Sequence, residues 1–461
     1  MISFDLGPTG FAGSIAFTGT PNSGQSLRIG GNRYTLLYSM ADLENINASD
    51  ATLSGKYALA LPIDASTDPT MPVHWLPIGL ASDGIDILNS GNGFSGTFEG
   101  LGNSVANLMI APNAYAYGGL FGFVNGRIRD FGVVGGSESG DNIAGGLTAA
   151  SGTNSVLSSD YSSMSVSNGS ELGGLVGGAN GVIAHSFATG AVSETTLTGY
   201  AGGLVGQSNA ILKFDRATGS VTGETEFGIF GGLVGLNFGS ILQSSASGDI
   251  SGSTYAQLGG LAGYNDDIVN RSYATGSVTG GMGSIVGGLV GNTFVGSPGA
   301  YISQSFATGA VITGANGYAG GLAGFSPNPI TNSYATGSVT GTTGSDVGGL
   351  VGYNGQTSPN TTFGTIRKSY ATGLVSDGAD VGGLVGDDQS PAGSIRQSYW
   401  DLNTSGISDP GQGTGNVADD PGITGETTAA LQSGLPAGFS AAVWASAPDA
   451  YPVLLWQNPA P

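Results

Sequence analysis

Residues 259–278 read GGLAGYNDDIVNRSYATGSV and contain both halves of a motif that recurs along most of the chain. The first half is Gly-Gly-Leu, and the second is Ser-(Tyr/Phe)-Ala-Thr-Gly-x-Val. A unit of this length cannot bury its own apolar face and must stack on copies of itself, so the repeat predicts a solenoid. The Gly-Gly-Leu half begins at ten positions, which lie 27 to 34 residues apart: Gly118, Gly145, Gly173, Gly202, Gly231, Gly259, Gly287, Gly320, Gly348 and Gly382.

Each unit alternates short runs rich in Val, Ile, Thr and Tyr with Gly, Asn and Ser, a composition typical of strands joined by tight corners. The expected fold class is therefore all-β, a β-solenoid with about ten repeats of ~28 residues and capping segments at both ends. The sequence leaves open whether one repeat forms one coil or two. With one repeat per coil, identical residues lie about 4.8 Å apart in neighbouring coils.

Comparison of the repeats predicts which side chains face the interior. Side chains alternate between the two faces of a strand, and the valine column from Val192 to Val375 is apolar throughout. We assign Asp215 and Ser245 to the column of aromatic residues as well, and an unpaired buried aspartate is costly. We therefore expect Ala, Val and the leucine of Gly-Gly-Leu to face inward, and the aromatic and threonine columns to face outward.

The ends of the chain depart from the repeat. We assign residues 1–116 to an N-terminal cap with irregular first coils, because an open first coil would expose an edge that promotes aggregation. Residues 117–400 form the repeats, and residues 401–461 form a C-terminal capping segment. A short helix with Ser39 as its N-cap is expected near residue 40. Trp400, Trp444 and Trp456 are expected to close the open end of the core.

Composition excludes some classes of partner. The chain has 461 residues, 11 basic against 32 acidic residues and a net charge of −21. This balance opposes binding to nucleic acid or to anionic membranes. The chain contains no cysteine and no apolar run of transmembrane length, and Met1–Asp5 do not resemble a secretory signal. We expect a secreted or bacterial cell-surface location, with this chain as part of a larger secreted polypeptide.

Candidate catalytic residues are sparse. A hydrolase of this shape needs paired carboxylates beside a histidine or a basic residue. His74 and His185 are the two histidines, and His185 falls in a column of polar residues that we expect to be solvated. The basic residues are scattered along the sequence, so we expect no enzyme activity. No cofactor is expected, although calcium takes carboxylate ligands and four turn residues are weak calcium candidates: Asp266, Asp267, Asp387 and Asp388.

The repeat resembles a known family. Gly259–Asn265 with Ser272–Val278 is similar to the GLUG repeat of large bacterial adhesins of the filamentous haemagglutinin type, as are the segments Tyr34–Met40 and Ser398–Asp401. The resemblance covers about residues 30–456. It implies a right-handed parallel β-helix, secretion and a role in cell-surface adhesion.

Two outward columns are candidate binding surfaces. Aromatic rings can stack on sugars, although rings of successive coils can equally stack on one another. A regular threonine face is also found on ice-binding solenoids, although threonine simply suits exposed strand positions. The aromatic ladder is Phe187, Tyr273, Phe306, Tyr334, Tyr370 and Tyr399. The hydroxyl ladder is Thr189, Thr218, Thr275, Thr308, Thr336 and Thr372.

The expected function is that of a non-catalytic extracellular adhesin segment, a rigid β-solenoid that mediates or projects adhesion to glycans or to a host or neighbouring cell surface. The alternatives are a β-helical polysaccharide-degrading enzyme and an ice-binding solenoid that uses its threonine ladder. The assignment of faces makes two further predictions. Leu289→Asp should disrupt the array, and Tyr334→Ser should leave the fold intact because Ser245 already replaces an aromatic residue in its own repeat.

Overall fold

The computed structural model of the protein describes residues 6–7, 10–21, 23–71, 74–110, 116–140, 142–196, 198–293, 299–356 and 363–457. The chain is an all-β, right-handed parallel β-solenoid of about eleven turns, which confirms the predicted fold class. It divides into two compact units: unit 1 contains residues 1–222 and 233–235, and unit 2 contains residues 223–232 and 236–461. Among the described residues, no helix is long and apolar enough to span a membrane.

Each full coil carries five short strands, and strands at the same position in successive coils pair in parallel into sheets that we number I to V in chain order. In unit 1, sheet I contains Tyr117–Gly118, Ile143–Gly145, Glu171–Gly173 and Tyr200–Gly202, and sheet II contains Phe121–Val124, Thr148–Ser151, Val176–Ala179 and Val205–Ser208. Sheet III contains Leu27–Ile29, Asn32–Leu37, Lys56–Leu59, Thr97–Glu99, Arg127–Arg129, Val156–Ser158, Val182–Ala184 and Ile211–Lys213. Sheet IV contains Ile63–Asp64, Ser104–Ala106, Gly132–Val134, Tyr161–Ser162, Phe187–Ala188 and Arg216–Ala217. Sheet V contains Met109–Ile110, Ser137–Ser139, Ser165–Ser167 and Val192–Glu194.

Unit 2 repeats the same order. Sheet I contains Ile229–Gly231, Gln257–Gly259, Ile285–Gly287, Tyr318–Gly320, Asp346–Gly348 and Asp380–Gly382, and sheet II contains Ala262–Asn265, Val290–Thr293, Ala323–Phe325, Val351–Asn354 and Val385–Asp388. Sheet III contains Ile241–Leu242, Ile268–Asn270, Tyr301–Ser303, Ile330–Thr331, Ile366–Arg367 and Ile395–Arg396. Sheet IV contains Ser245–Ala246, Tyr273–Ala274, Phe306–Ala307, Tyr334–Ala335, Tyr370–Ala371, Ser398–Asp401 and Ile423–Glu426. Sheet V contains Ile250–Gly252, Val278–Thr279, Val311–Ile312, Val339–Thr340 and Val375–Ser376. Val221–Gly223 in sheet V and Val234–Asn237 in sheet II contain residues of both units.

Among the residues that the structure describes, helical turns are confined to the ends of the chain. They are Met40–Glu44, Asn45–Ala48 (3-10), Asp50–Leu53, Leu88–Gly91, Thr428–Leu431 and Leu455–Gln457 (3-10). The side chain of Ser39 accepts a hydrogen bond from the Asp42 backbone N–H, which confirms the predicted N-cap. Three strand pairs among the described elements are antiparallel: Leu27–Ile29 with Asn32–Leu37 at the start of sheet III, Leu6–Gly7 with Gly10–Phe11, and Trp444–Ala445 with Val453–Leu454.

One repeat forms one coil, which answers the question that the sequence left open. Gln257 pairs with Ile285, the residue 28 positions later, and Ile285 pairs with Tyr318. The interior is built as predicted, because the leucine, valine and alanine columns are almost fully buried; Leu289, for example, is 0% exposed. Each such side chain contributes about 1.5–3 kcal/mol to stability, repeated in every coil.

The Gly-Gly corner between sheets I and II is explained by close backbone approach. A Cβ atom on Gly287 would lie 1.9 Å from the carbonyl oxygen of Val290, and one on Gly288 would lie 2.1 Å from the carbonyl oxygen of Gly321 in the next coil. No side chain fits at such distances. The double glycine is therefore a packing requirement of the corner.

The corner between sheets III and IV contains a buried ladder of serines. One residue with positive φ, such as Gln304, makes the turn, and the next residue is a serine in most coils. The Oγ of Ser305 accepts the backbone N–H of Ser272 at 3.2 Å and donates to the carbonyl of Ser303 at 2.9 Å. The same pattern continues at Ser333 and Ser369. These hydroxyls satisfy backbone groups that the turn would leave unpaired in the interior.

Asp215 belongs to this buried corner and not to the aromatic column, so its predicted position was wrong. The strand register pairs Phe187 with Arg216, and the Asp215 carboxylate accepts the backbone N–H of Ser186 at 2.8 Å. Burial raises the pKa of Asp215 to about 8. The predicted direction of the faces is nevertheless correct, because the alanine column points inward and Ser245 does occupy the aromatic column.

Candidate binding surfaces

The aromatic ladder of sheet IV is a stack of parallel rings. In unit 2 the Tyr273, Phe306, Tyr334 and Tyr370 rings follow one another at centroid distances of 4.9 to 5.0 Å, with interplanar angles of 2–3°. This confirms that rings of successive coils stack on one another. In unit 1 the Phe187 ring stacks on Tyr161 at 5.7 Å.

The ladder is not an exposed surface, which corrects its assignment as a candidate binding site. In unit 2 it is covered by residues 427–457, which we name the strap. Leu431, Phe439, Trp444 and Leu454 of the strap join Phe306, Tyr334, Tyr370 and Tyr399 in one buried cluster, and Tyr273 packs at its margin. Phe187 in unit 1 is also 5% exposed, with the guanidinium of Arg216 lying over its ring.

Polar contacts fix the strap along the ladder. The hydroxyl of Tyr399 donates to the carbonyl of Ala437, that of Tyr370 to the carbonyl of Pro452, and that of Tyr334 to Gln457. The indole N–H of Trp456 reaches the carbonyl of Gln304 at 2.9 Å. Trp444 and Trp456 therefore lie on the side of the solenoid, which corrects their predicted place at its open end. Trp400 does fill the core, since it replaces the inward alanine of sheet IV and is 0% exposed.

The hydroxyl ladder lies in the turn after sheet IV and is unevenly exposed. Thr275 and Thr308 are exposed, while Thr189, Thr218 and Thr336 are half-buried. Thr372 is buried, and the Thr404 hydroxyl donates to its carbonyl at 2.7 Å. The threonine column thus loses its regular exposure toward the C-terminal coils, and the ice-binding alternative stays a prediction.

The weak calcium candidates lie in pairs at the end of sheet II. Asp388 is buried and accepts hydrogen bonds from Asn354 at 2.8 Å and from the Ser390 N–H at 3.1 Å. Asp266 and Asp267 directly follow Ala262–Asn265 of the same sheet, four coils before Val385–Asp388. Within the described ranges, no three His, Cys, Asp or Glu side chains converge as a metal site.

The basic residues are not scattered in space, in contrast to their scatter in sequence. In unit 1 sheet III carries Arg28, Arg33, Lys56, Arg127, Arg129 and Lys213, and Arg216 begins a strand of sheet IV. In unit 2 sheet III carries Arg367 and Arg396, with Arg271 and Lys368 in the corner that follows it. The ion pairs among the described residues join Arg129 to Glu99 at 2.8 Å and to Asp130 at 3.4 Å. His185, in the same corner, is exposed as predicted.

A groove that the sequence analysis missed follows sheets I and II of unit 2. It is formed by the outward side chains on either side of the Gly-Gly corner, and we name it the aromatic–acidic groove. The Tyr353 ring lies 5.1 Å from Tyr318 and 5.3 Å from Phe325. These rings line a cavity of about 210 Å³ together with Ile285, Asn292 and Gln356. Asp346, Asp380 and Asp387 continue the same two columns in the next coils.

The carboxylates of the groove are crowded. Burial, together with the charges of Asp387 and Asp380, raises the pKa of Asp346 to about 7. Burial and the charge of Asp380 also raise the pKa of Asp387, although a hydrogen bond from Gln389 opposes this. The groove thus combines half-buried rings with acids that repel one another.

A larger cavity, of about 710 Å³, lies over sheet III of unit 2. Its wall includes Tyr301, Gln304, Pro329 and Phe363 and carries no charged side chain among the described residues.

Comparison with known proteins agrees with the repeat. Residues 343–376 match the GLUG motif. The strand pairing and this match together define the chain as a parallel β-solenoid that carries the GLUG motif. A stretch of 147 residues is 32% identical to halomucin of Haloquadratum walsbyi; it covers 30% of this chain and 2% of halomucin, so the chain spans a small part of that relative's length. The chain is also similar to the crystal structure of a candidate immunoglobulin A1 protease from Bacteroides ovatus, with 17% identity, a TM-score of 0.31 and coverage of 92% and 93% of the two chains. That TM-score is too low to support an argument.

Proposed function

We propose that the chain is a non-catalytic segment of an extracellular or cell-surface protein of the adhesin type and that it binds glycans. The aromatic–acidic groove is the observation that carries the proposal. Its Tyr318 and Tyr353 rings are half-buried, in contrast to the buried Phe306, Tyr334 and Tyr370 rings of the sheet IV ladder, and polar acceptors lie beside them. The GLUG motif and the similarity to halomucin support a role as a repeat segment of a larger surface protein.

The chemistry of the groove suits a sugar. The apolar C–H face of a pyranose packs on aromatic rings, and its hydroxyl groups donate to carboxylate and amide oxygens. Small-molecule sites typically combine apolar and aromatic walls with a few polar groups that fix orientation. Tyr318 and Tyr353 would supply the stacking surface, and Asn292 and Asp346 the acceptors. The solenoid holds these side chains on paired strands, so the groove is formed before a ligand binds.

Binding of the purified chain to a broad glycan array, with calcium and again with a chelator, tests the proposal. We expect reproducible binding that the double variant Tyr318→Ala/Tyr353→Ala abolishes. Tyr200→Ala is the matched control, because Tyr200 occupies the same column of sheet I in unit 1. An array without any bound glycan would refute the proposal, and binding that disappears with chelator would show that calcium participates.

A further inference from the structure

The acidic end of the groove lacks a positively charged neighbour. Asp346 and Asp380 pair in register in adjacent strands of sheet I, and Asp387 pairs with Tyr353 in sheet II. None of the three takes part in an ion pair among the described residues. The four basic residues of unit 2 lie on sheet III or in the corner after it, away from sheets I and II.

The aromatic part of the groove also favours a cation. The faces of aromatic rings carry negative potential and attract ammonium and guanidinium groups within about 6 Å. The Tyr318 and Tyr353 rings are half-buried and therefore reachable. The buried Phe325 ring stacks on Tyr353 with an interplanar angle of 12°. Burial and the charges of Asp346 and Asp387 raise the pKa of Tyr318 and of Tyr353, so ring faces and carboxylates lie side by side along the groove.

An unpaired acceptor lies in the wall of the cavity. The Nδ2 of Asn292 donates a hydrogen bond to the Oε1 of Gln257 at 2.9 Å. This bond uses the amide nitrogen and leaves Oδ1 as the other polar atom of the side chain. This Oδ1 is buried and has no hydrogen-bond partner. A buried acceptor without a partner costs about 1–3 kcal/mol. A ligand that donates a hydrogen bond would recover that cost.

We propose that the aromatic–acidic groove binds glycans that carry free amino groups, with a sugar ring on Tyr318 and Tyr353 and ammonium groups beside Asp346, Asp380 and Asp387. This inference rests on the proposed function and specifies its ligand class. A neutral sugar would leave the three carboxylates repelling one another. An anionic sugar would add to that repulsion, in a chain whose net charge is already −21.

The test compares two oligosaccharides of the same linkage and length, one with free amino groups and the other with acetamido groups in their place. A β-1,4-linked hexamer of glucosamine and its fully N-acetylated counterpart are titrated into the full chain at neutral pH by calorimetry. We expect the amino form to bind about tenfold or more tightly than the acetylated form. The triple variant Asp346→Asn/Asp380→Asn/Asp387→Asn keeps the shape of the groove and should bind both forms with equal, weak affinity.

Two controls separate the possible outcomes. Glu171→Gln removes an acid from the same column of sheet I in unit 1, where Gly178 replaces the aromatic neighbour, and should leave the preference unchanged. Hexalysine tests for charge without a sugar. Hexalysine binding as tight as that of the amino sugar, or a preference that survives in the triple variant, would overturn the inference. Binding of acetylated or other glycans without an amino preference would overturn it while leaving the proposed function intact, and no binding of any glycan would overturn both.

Discussion

Replacing Tyr334 with serine should release the strap while the solenoid stays folded. The sequence predicts only that this variant leaves the fold intact, since Ser245 occupies the same column. The structure explains why the two positions differ: Tyr334 is 5% exposed, lies between Phe306 and Tyr370 at 5.0 Å from each, and contacts the strap. The variant therefore removes a side chain on which a separate element docks.

The magnitude follows from the contacts. Truncation of a buried aromatic side chain costs about 3–5 kcal/mol in total, but part of this falls on ring contacts within the solenoid. The strap loses the hydrogen bond between Tyr334 and Gln457, worth about 1 kcal/mol, and the contact with Trp444, worth about 0.5–1.5 kcal/mol. Docking of the strap should therefore weaken by about 2 kcal/mol, which raises its opened population roughly thirtyfold.

Hydrogen exchange measures this directly. Amides of Trp444 and Leu454 should lose roughly thirtyfold protection in Tyr334→Ser, while those of Leu322 and Val351 in the solenoid interior keep theirs. Tyr334→Phe removes the hydroxyl alone and should give a several-fold loss. Unchanged protection of the strap in the serine variant, or equal loss in strap and interior, would refute the reasoning.

Three further variants test the interior. Ser305→Ala leaves the Ser272 N–H unpaired in the buried corner and should lower the free energy of unfolding by about 1–3 kcal/mol in urea titrations, whereas the exposed control Ser247→Ala should not. Leu289→Asp buries an unpaired charge and should cost several kcal/mol, seen as loss of the β-sheet circular dichroism of unit 2. Asp215→Ser should match the wild type in stability below about pH 4. Because burial raises the Asp215 pKa from 3.8 to about 8, the folded wild type resists the ionisation that the unfolded chain undergoes, so the variant should gain relative stability in thermal melts as the pH rises to about 8.

The interior could be predicted from the sequence because its pattern is local and repeats. The leucine after each double glycine and the valine that follows Ala-Thr-Gly are apolar at the same position in successive repeats. This periodicity predicts that both side chains lie in the core. The misplacement of Asp215 was an error of register that the sequence itself could have corrected. Counting back from Ala217-Thr218-Gly219 places Arg216 opposite Phe187, as the structure does. A shift of one residue moves a side chain to the other face of a strand.

The strap could not be placed in the same way. Its apolar residues, such as Leu431 and Trp444, are visible in the sequence, but their partners lie at least 32 residues earlier, from Phe306 to Tyr399. No periodicity connects the two segments, so the docking site depends on tertiary structure alone. The exposure of the aromatic ladder was mispredicted for this reason, although its direction was correct.

The groove was missed because its side chains come from two strands on either side of a corner. A usable pattern exists nonetheless: Tyr318 and Phe325, Asp346 and Tyr353, and Asp380 and Asp387 are each seven residues apart around a Gly-Gly-Leu element. In a solenoid the inward columns must stay uniform to fill the core, so variation there signals strain. The outward columns are free to vary, and a functional site is most readily found where a run of coils departs together from its own repeat. Residues 318–387 depart in this way, since aromatic and acidic side chains occupy the sheet I column that holds Ile229 and Ile285 in earlier coils of unit 2.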